Sequence, residues 1–379
     1  MKSRSPLLRN KGLQTLLSSL VCIILGILVG YVVLLIINPE GAWEGLKTIL
    51  KNFFNYPTAK AQAKYLGATL VKTAPLLLCS LSILFAYKVG LFNIGAAGQY
   101  VAGAALSLYA ALAWHMPWWL CMILAILAGA LLGGISGVLK AKFNVNEVIS
   151  GIMLNWIGLY STNMLLNNVK EGTSPFTYSI KGHASQALIP SLGLEKLFSK
   201  NTNVTIAIPL SILVAVIIWI VLDKTRFGYE LKATGNNKNA AKYAGMKENR
   251  NIILTLVIAG GLAGLAAASF YLSGYEQWEC TQSSVPAMGF NGIAAAFLGG
   301  LNPIGAIFSS FFIQHITLGG SYLDKTLYSS EISDLMSSII IYLCGFVLFF
   351  KHFMNSLLDS REAKKAEKRN ADEKGGSDK

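Results

Sequence analysis

Charge is what this sequence has least of. Only 13% of its 379 residues are Asp, Glu, Lys or Arg, where a water-soluble domain carries roughly a quarter. With 53% hydrophobic residues, a mean hydropathy of +0.51 and long apolar runs, this shortage excludes a soluble enzyme, a disordered chain and a disulfide scaffold. Cysteine is scarce and scattered. Cys22, Cys79, Cys121, Cys280 and Cys344 form no CxxC pair, so neither a zinc site nor a disulfide framework is indicated, and they read as small apolar residues. Acidic residues number 19 against 32 basic ones. In a membrane protein that excess belongs to cytoplasmic loops, and nucleic acid is not the expected partner.

Catalytic motifs are missing as well. There is no GxxxxGK[ST] phosphate loop, no HExxH and no GxSxG. His115, His183, His315 and His352 are scattered, as interface or loop residues rather than metal ligands. None of the 19 carboxylates falls in the middle of a predicted span. A proton-coupled carrier needs a titrating group on the ion path, so proton coupling is disfavoured. A sodium-coupled carrier, which can hold its ion with carbonyls, stays open.

What is present is a series of spans. The basic segment 1–12 precedes an apolar run, Leu13–Ile37, too long for a signal-peptide core and without a cleavage site, so it reads as a retained first helix. Further spans are predicted at Leu66–Tyr87, Leu91–Ala113, Trp118–Leu139, Val148–Leu166, Val204–Leu222 and Ile252–Leu272, then a broken stretch from Phe290 to Gly319 and a last helix over Leu335–Phe350. Trp114, Trp118 and Trp119 bracket one boundary as interface anchors do. With the N-terminus inside, 22 basic residues fall on inner segments and 9 on outer ones, with Lys72 in a span. The bias predicts both termini in the cytoplasm. The expected fold is an all-α polytopic membrane protein of about eight full helices plus a broken or re-entrant pair. Residues 13–352 form the transmembrane unit and 353–379 a charged, solvated tail.

The broken stretch carries Gly299, Gly300, Asn302, Pro303 and Gly305 at its middle. These divide it into two pieces of about a dozen residues, each too short to cross ~30 Å. Irregular backbone at that depth belongs in protein or beside a cavity, which makes the region a pathway candidate. Small residues recur at helical spacing in Gly26 and Gly30, in Gly129, Gly133 and Gly137, and in Gly260 and Gly264. They serve close packing within the bundle or, alternatively, a dimer seam. Lys72 either snorkels to the outer interface or meets substrate.

An uncharged polar thread runs through the apolar spans: Asn93 and Gln99 in FNIGAAGQ, Asn155 in MLNW, Asn163 two turns later and Asn291 in GFNG, with Phe92 and Phe290 beside them. Singly, each amide is helix–helix glue; as a set beside glycine-rich breaks they suit a path for an uncharged, hydrogen-bonding solute. The inner loop 223–250 is more than a connection. Asn239–Tyr243 is predicted as a short helix with Asn236 or Asn237 as N-cap and Gly245 as C-cap, preceded by a segment bounded by Gly228 and Gly235. It is either a plain positive-inside loop or a basic helix that inserts into a cytoplasmic partner.

The segments YKVGLFNIGAAGQYVAGA, NEVISGIMLNWIG, TRFGYELKATGNNKNAAKYAGM and GFNGIAAAFLGGLNPIGA resemble, in order and spacing, the permease subunits of ABC importers of the ribose and branched-chain amino acid permease family. The resemblance covers about residues 66–350 and is nearest to the nucleoside-type branch, which works with lipoproteins of the basic membrane protein family. One departure is Ala97, where that branch commonly has glutamate.

The resemblance implies a bacterial plasma-membrane subunit paired with a second permease, with an ABC ATPase below that binds ATP and Mg and a substrate-binding lipoprotein above. It implies no cofactor in this chain. Gly228, Glu230, Gly235, Asn236, Asn239, Ala240, Ala241 and Gly245 then form the ATPase-coupling segment. The outer loop 168–202 is a docking surface for the lipoprotein or a plain connection over the outer mouth. The expected function is nucleoside uptake; a simple sugar such as ribose and a sodium-coupled carrier are the alternatives.

Overall fold

In a computed structural model, residues 11–328 are described and, past them, 335, 338–339, 342–343, 345–347, 349–350, 352–353, 355–356 and 360. Most of the basic segment 1–12, much of the last expected helix and almost all of the tail lie outside the described residues. The elements run α1 (Lys11–Ile37), α2 (Ala42–Lys51), α3 (Ala59–Tyr87), α4 (Ala96–Leu112), α5 (Trp118–Phe143), α6 (Glu147–Leu166), α7 (Ile180–His183), α8 (Leu194–Leu197), α9 (Ala207–Lys224), α10 (Arg226–Asn236), α11 (Lys238–Tyr243), α12 (Glu248–Tyr271), α13 (Ala287–Leu298) and α14 (Pro303–Gly320). Among the described residues the only extended pairing is two isolated bridges, Lys170 with Thr177 and Phe176 with Glu279. The protein is an all-α membrane protein. Among the described residues, five helices (α3, α5, α9, α12 and residues 17–37 of α1) are long and apolar enough to cross a bilayer.

The core sits around α3 and α12, whose most apolar stretches are 83% and 72% buried, against 22% in α1 and 28% in α9. Around α3 pack α12, α13, α14 and α9, and α12 in turn lies along α5. That last contact is made by glycine. A Cβ on Gly129 would overlap the Gly260 carbonyl oxygen, one on Gly133 the Leu256 carbonyl, and one on Gly264 the Ala125 carbonyl. Without a hydrophobic drive inside lipid, such backbone contact supplies the packing. The stripes of α5 and α12 therefore serve the bundle within this chain.

Two elements differ from expectation. The span expected from Leu91 begins five residues later. Residues 91–93 have no regular structure and 94–95 form a turn, after Gly90 at φ 72° ends the preceding turn. The broken stretch is a 12-residue α13 and an 18-residue α14, so the second piece is longer than foreseen. Gly305 does not break it, because it sits in the first turn, where Asn302 Oδ1 accepts from Ile304 N–H (2.9 Å) and Gly305 N–H (3.3 Å) and Pro303 fits the start. In the loop 168–202, Leu194–Leu197 form a single helical turn, followed by positive φ at Ser199 and Lys200.

Candidate functional site

The connection 88–95, the middle of α6 and the first turn of α13 meet at one junction. The connection 88–95 brings Asn93 to Ser82 of α3: Asn93 Nδ2 donates to Ser82 Oγ (3.1 Å) and to Gln99 Oε1 (2.8 Å), while Gln99 Nε2 donates back to Asn93 Oδ1 (3.1 Å). The first N–H groups of α4 have no partner within the helix. Asn155, ninth of the 20 residues of α6, supplies one from outside: its Oδ1 accepts from Gly98 N–H (2.7 Å) and its Nδ2 donates to Ile94 O (3.1 Å). Glycine makes this approach possible, since a Cβ on Gly98 would lie 2.7 Å from Asn155 Cα and one on Gly151 2.9 Å from Gly95 N. On the other side Gly289 of α13 faces Ala97, where a Cβ would come within 2.5 Å of its Cα. Ala97 is buried in that contact, which leaves no room there for a side chain as long as glutamate.

Six of the seven expected pathway residues lie on the three segments that converge here. Asn93, Gln99 and Asn155 are buried and bonded to protein; Phe92 and Asn291 are half-buried and Phe290 is exposed. Asn163 belongs elsewhere. Its Oδ1 accepts from Trp278 Nε1 (3.0 Å) and its Nδ2 donates to Gln282 O (2.9 Å), tying α6 to the connection after α12. Sequence reasoning missed Ser82 and Trp278, neither of which carries a local signal. The buried amides act as struts. Their hydrogen-bonding groups are taken up by protein, as burial requires, because each unpaired group costs ~1–3 kcal/mol.

Next to the start of α3 and the end of α14, Tyr56, Tyr65 and Tyr322 close on one another: Tyr56 and Tyr65 stack at 3.8 Å, and Tyr322 meets both edge-on at 5.6 and 5.7 Å. Burial, then the neighbouring Tyr65 phenol, pushes Tyr322 up to about 12. Lys72 of α3 has its Nζ 5.3 Å from the centre of the Tyr275 ring. His315 is held in place, with Nε2 2.9 Å from Leu50 O and Nδ1 3.3 Å from Asn52 Nδ2. Among the described residues no cluster of three His, Cys, Asp or Glu forms a metal site.

The inner loop folds into a helical hairpin. Thr225 caps α10, accepting from Gly228 N–H (3.1 Å) while its hydroxyl donates to Val221 O (2.6 Å). Gly228 lets α10 turn against the end of α9, for a Cβ there would overlap the Val221 carbonyl. Glu230 pairs with Arg226 at 3.2 Å, and Asn251 of α12 donates to Thr234 (2.9 Å). Asn236 ends α10, and Asn237 is the N-cap of α11, accepting from Ala240 N–H at 3.0 Å. Gly245, at φ 80°, closes it with Gly245 N–H to Lys242 O and Met246 N–H to Ala241 O, both 3.0 Å. Ala241 is buried, whereas Asn239 and Ala240 are exposed and Tyr243 is 93% exposed. Gly235 bears on the turn after α3: a Cβ would stand 2.5 Å from the carbonyl carbon of Val89.

Among the described residues, five apolar helices of spanning length, packed around a buried amide junction, define a polytopic membrane protein. The chain belongs to the family described as branched-chain amino acid transport system / permease component, whose model matches residues 65–345. It is similar to the guanosine ABC transporter permease protein NupP of Bacillus subtilis, 33% identical over 338 residues, which are 87% of this chain and 93% of that one. It is 32% identical to the nucleoside ABC transporter permease protein NupB of Lactococcus lactis subsp. cremoris over 94% of this chain and 97% of that one. The glucose ABC transporter permease protein TsgB13 of Haloferax volcanii is 28% identical over 82% and 83%.

Proposed function

We propose that this chain is the transmembrane permease subunit of an ATP-driven importer in a bacterial plasma membrane, taking up nucleosides delivered by a binding lipoprotein. The observation that carries the reading is identity of 32–33% along nearly the whole chain with permeases named for guanosine and nucleosides. The junction carries no charged side chain, which agrees with an uncharged solute that needs no counter-ion. In this reading Asn93, Gln99 and Asn155 frame the path rather than face it, and Phe92, Phe290 and Asn291 border it. Both termini lie inside, α13 enters from the outer side and α14 returns.

ATP and Mg belong to a partner ATPase, which grips α10 and α11. Its closure pushes Gly235 against Val89, and that turn leads within four residues to Asn93. The helices then rock between outward and inward opening. A second, different permease completes the pair, and the outer loop 168–202, with Leu192 and Leu197 exposed, receives the lipoprotein. Glucose or another simple sugar is the second reading, favoured by the 28% identity to a permease named for glucose.

The test is uptake of labelled guanosine and labelled glucose by cells carrying the whole system, with and without a disabling mutation in the ATPase. Guanosine uptake lost with the ATPase supports the proposal. Uptake that persists on a sodium gradient, or glucose uptake alone, refutes it.

A further inference from the structure

The outward faces of the helices are not alike. On α1 and α9 the large exposed residues away from the ends are aliphatic, among them Leu28 and Val32, Leu213 and Ile217. On α5 they are Ile123, Leu127, Leu131 and Ile135, with aromatics only at its ends, Trp119 and Phe143. Lipid asks for this pattern, because tryptophan and tyrosine prefer the membrane interface to its interior. α6 breaks it.

α6 packs along α4 and, at its start, on α5, where Ser136 and Ser150 hydroxyls meet at 3.1 Å. Its other side exposes Met153, Trp156, Tyr160, Ser161 and Met164 among Ile149, Ile152 and Ile157. Trp156 is 43% and Tyr160 58% exposed, and they are the tenth and fourteenth of 20 residues, well inside the helix. Their rings are nearly parallel, 24° apart with centres 6.1 Å from each other, one turn of helix. Directly behind stands the amide junction, since Asn155 precedes Trp156 and turns inward to Gly98 and Ile94. The same junction is bordered by Gly289 of α13, whose next residue, Phe290, is also exposed.

We infer that this face of α6 is a wall of the solute path and that Trp156 and Tyr160 hold a nucleoside by stacking on its base. The inference rests on the nucleoside reading above, and the opposite wall comes from the second permease. Two π-faces held at a fixed spacing on a rigid helix suit a planar heterocycle and give a sugar without one no comparable grip. Methionine at 153 and 164 adds polarisable surface that adapts to different bases.

The experiment uses the complete transporter. In a version of this chain without cysteine that still transports, Met153→Cys, Tyr160→Cys and, as a lipid-side control, Leu131→Cys are treated with a water-soluble methanethiosulfonate. Labelling at 153 and 160 but not 131, slowed by guanosine, is the expected result. No labelling at 153 and 160 means lipid covers the face and overturns the inference. Labelling that guanosine does not slow means water or the partner subunit alone occupies it, and also overturns it. In uptake, Trp156→Ala is expected to raise the guanosine KM roughly ten-fold with little change in kcat, while Trp156→Phe stays near wild type. An unchanged KM in Trp156→Ala refutes the stacking role. A wild-type complex that takes up no nucleoside overturns the substrate reading and the base platform with it, whereas normal wild-type uptake with unaffected variants overturns only the inference about α6.

Discussion

Replacing Gly235 by alanine tests how the inner hairpin speaks to the bundle. The new Cβ would lie 2.5 Å from the carbonyl carbon of Val89 and 2.8 Å from its Cα and its oxygen. Carbon atoms in contact sit about 3.5–4.0 Å apart. Either the end of α10 retreats by ~1 Å or the turn at 88–90 moves, and both sides of the contact are backbone. Overpacking of this kind costs about 1–3 kcal/mol, partly offset by up to ~1 kcal/mol from alanine's better helix propensity. A net penalty near 1.4 kcal/mol is about ten-fold in an equilibrium. In the reconstituted complex, basal ATP hydrolysis by the partner is expected to persist, while solute-stimulated hydrolysis and uptake fall about ten-fold. Gly134→Ala, whose Cβ would meet only a Val257 methyl at 3.2 Å, is the control. Assembly is checked by size-exclusion chromatography. A Gly235→Ala complex that assembles and couples like wild type removes the contact from the transmission path.

Neighbouring glycines on α5 give a second test. Gly133→Ala overlaps the Leu256 carbonyl and is expected to lower the melting midpoint in detergent by several degrees, while Gly134→Ala, which meets only a Val257 methyl at 3.2 Å, leaves it unchanged. Asn155→Leu strips partners from Gly98 N–H and Ile94 O together. At ~1–3 kcal/mol for each orphaned group it is expected to destabilise more than Asn163→Leu, because Asn155 is buried and Asn163 half-buried, as thermal unfolding in detergent can rank. The three clustered tyrosines predict a pH response. Tyr322 is raised from 10.0 to about 12 in the fold, so the neutral phenol is favoured. Its contribution is complete below pH ~10 and is lost as pH rises from there through the folded value. Melting midpoints are expected to be flat from about pH 6 to 9 and to fall above about 10 less steeply in Tyr322→Phe than in wild type; equal slopes would show that this phenol does not contribute.

Elements with signals in their own residues were legible. α11 announces itself through Asn237 and Gly245, because caps are local chemistry; Asn302 and Pro303 marked the break between α13 and α14, though not that they cap and start an 18-residue helix. The start of α4 was not. Leu91, Phe92 and Ile94 are as apolar as a helix, and what holds them irregular is Asn155, more than sixty positions away, accepting from Gly98 and donating to Ile94. The amides were recognisable as buried polar groups, yet whether they face a solute or each other depends on partners such as Ser82 and the Ile94 carbonyl. The direction of α6's aromatic pair was hidden for the same reason. Helical spacing puts Trp156 and Tyr160 on one side, and only the packing of α4 decides that this side faces outward.

The glycine contact between α5 and α12 also bears on how the protein is made. Gly129 and Gly260 are separated by roughly 130 residues, and ribosomes add about 5–20 residues per second. Each newly inserted α5 therefore waits on the order of ten seconds with a bare groove of backbone open to lipid, before the helix that fits it has been synthesised.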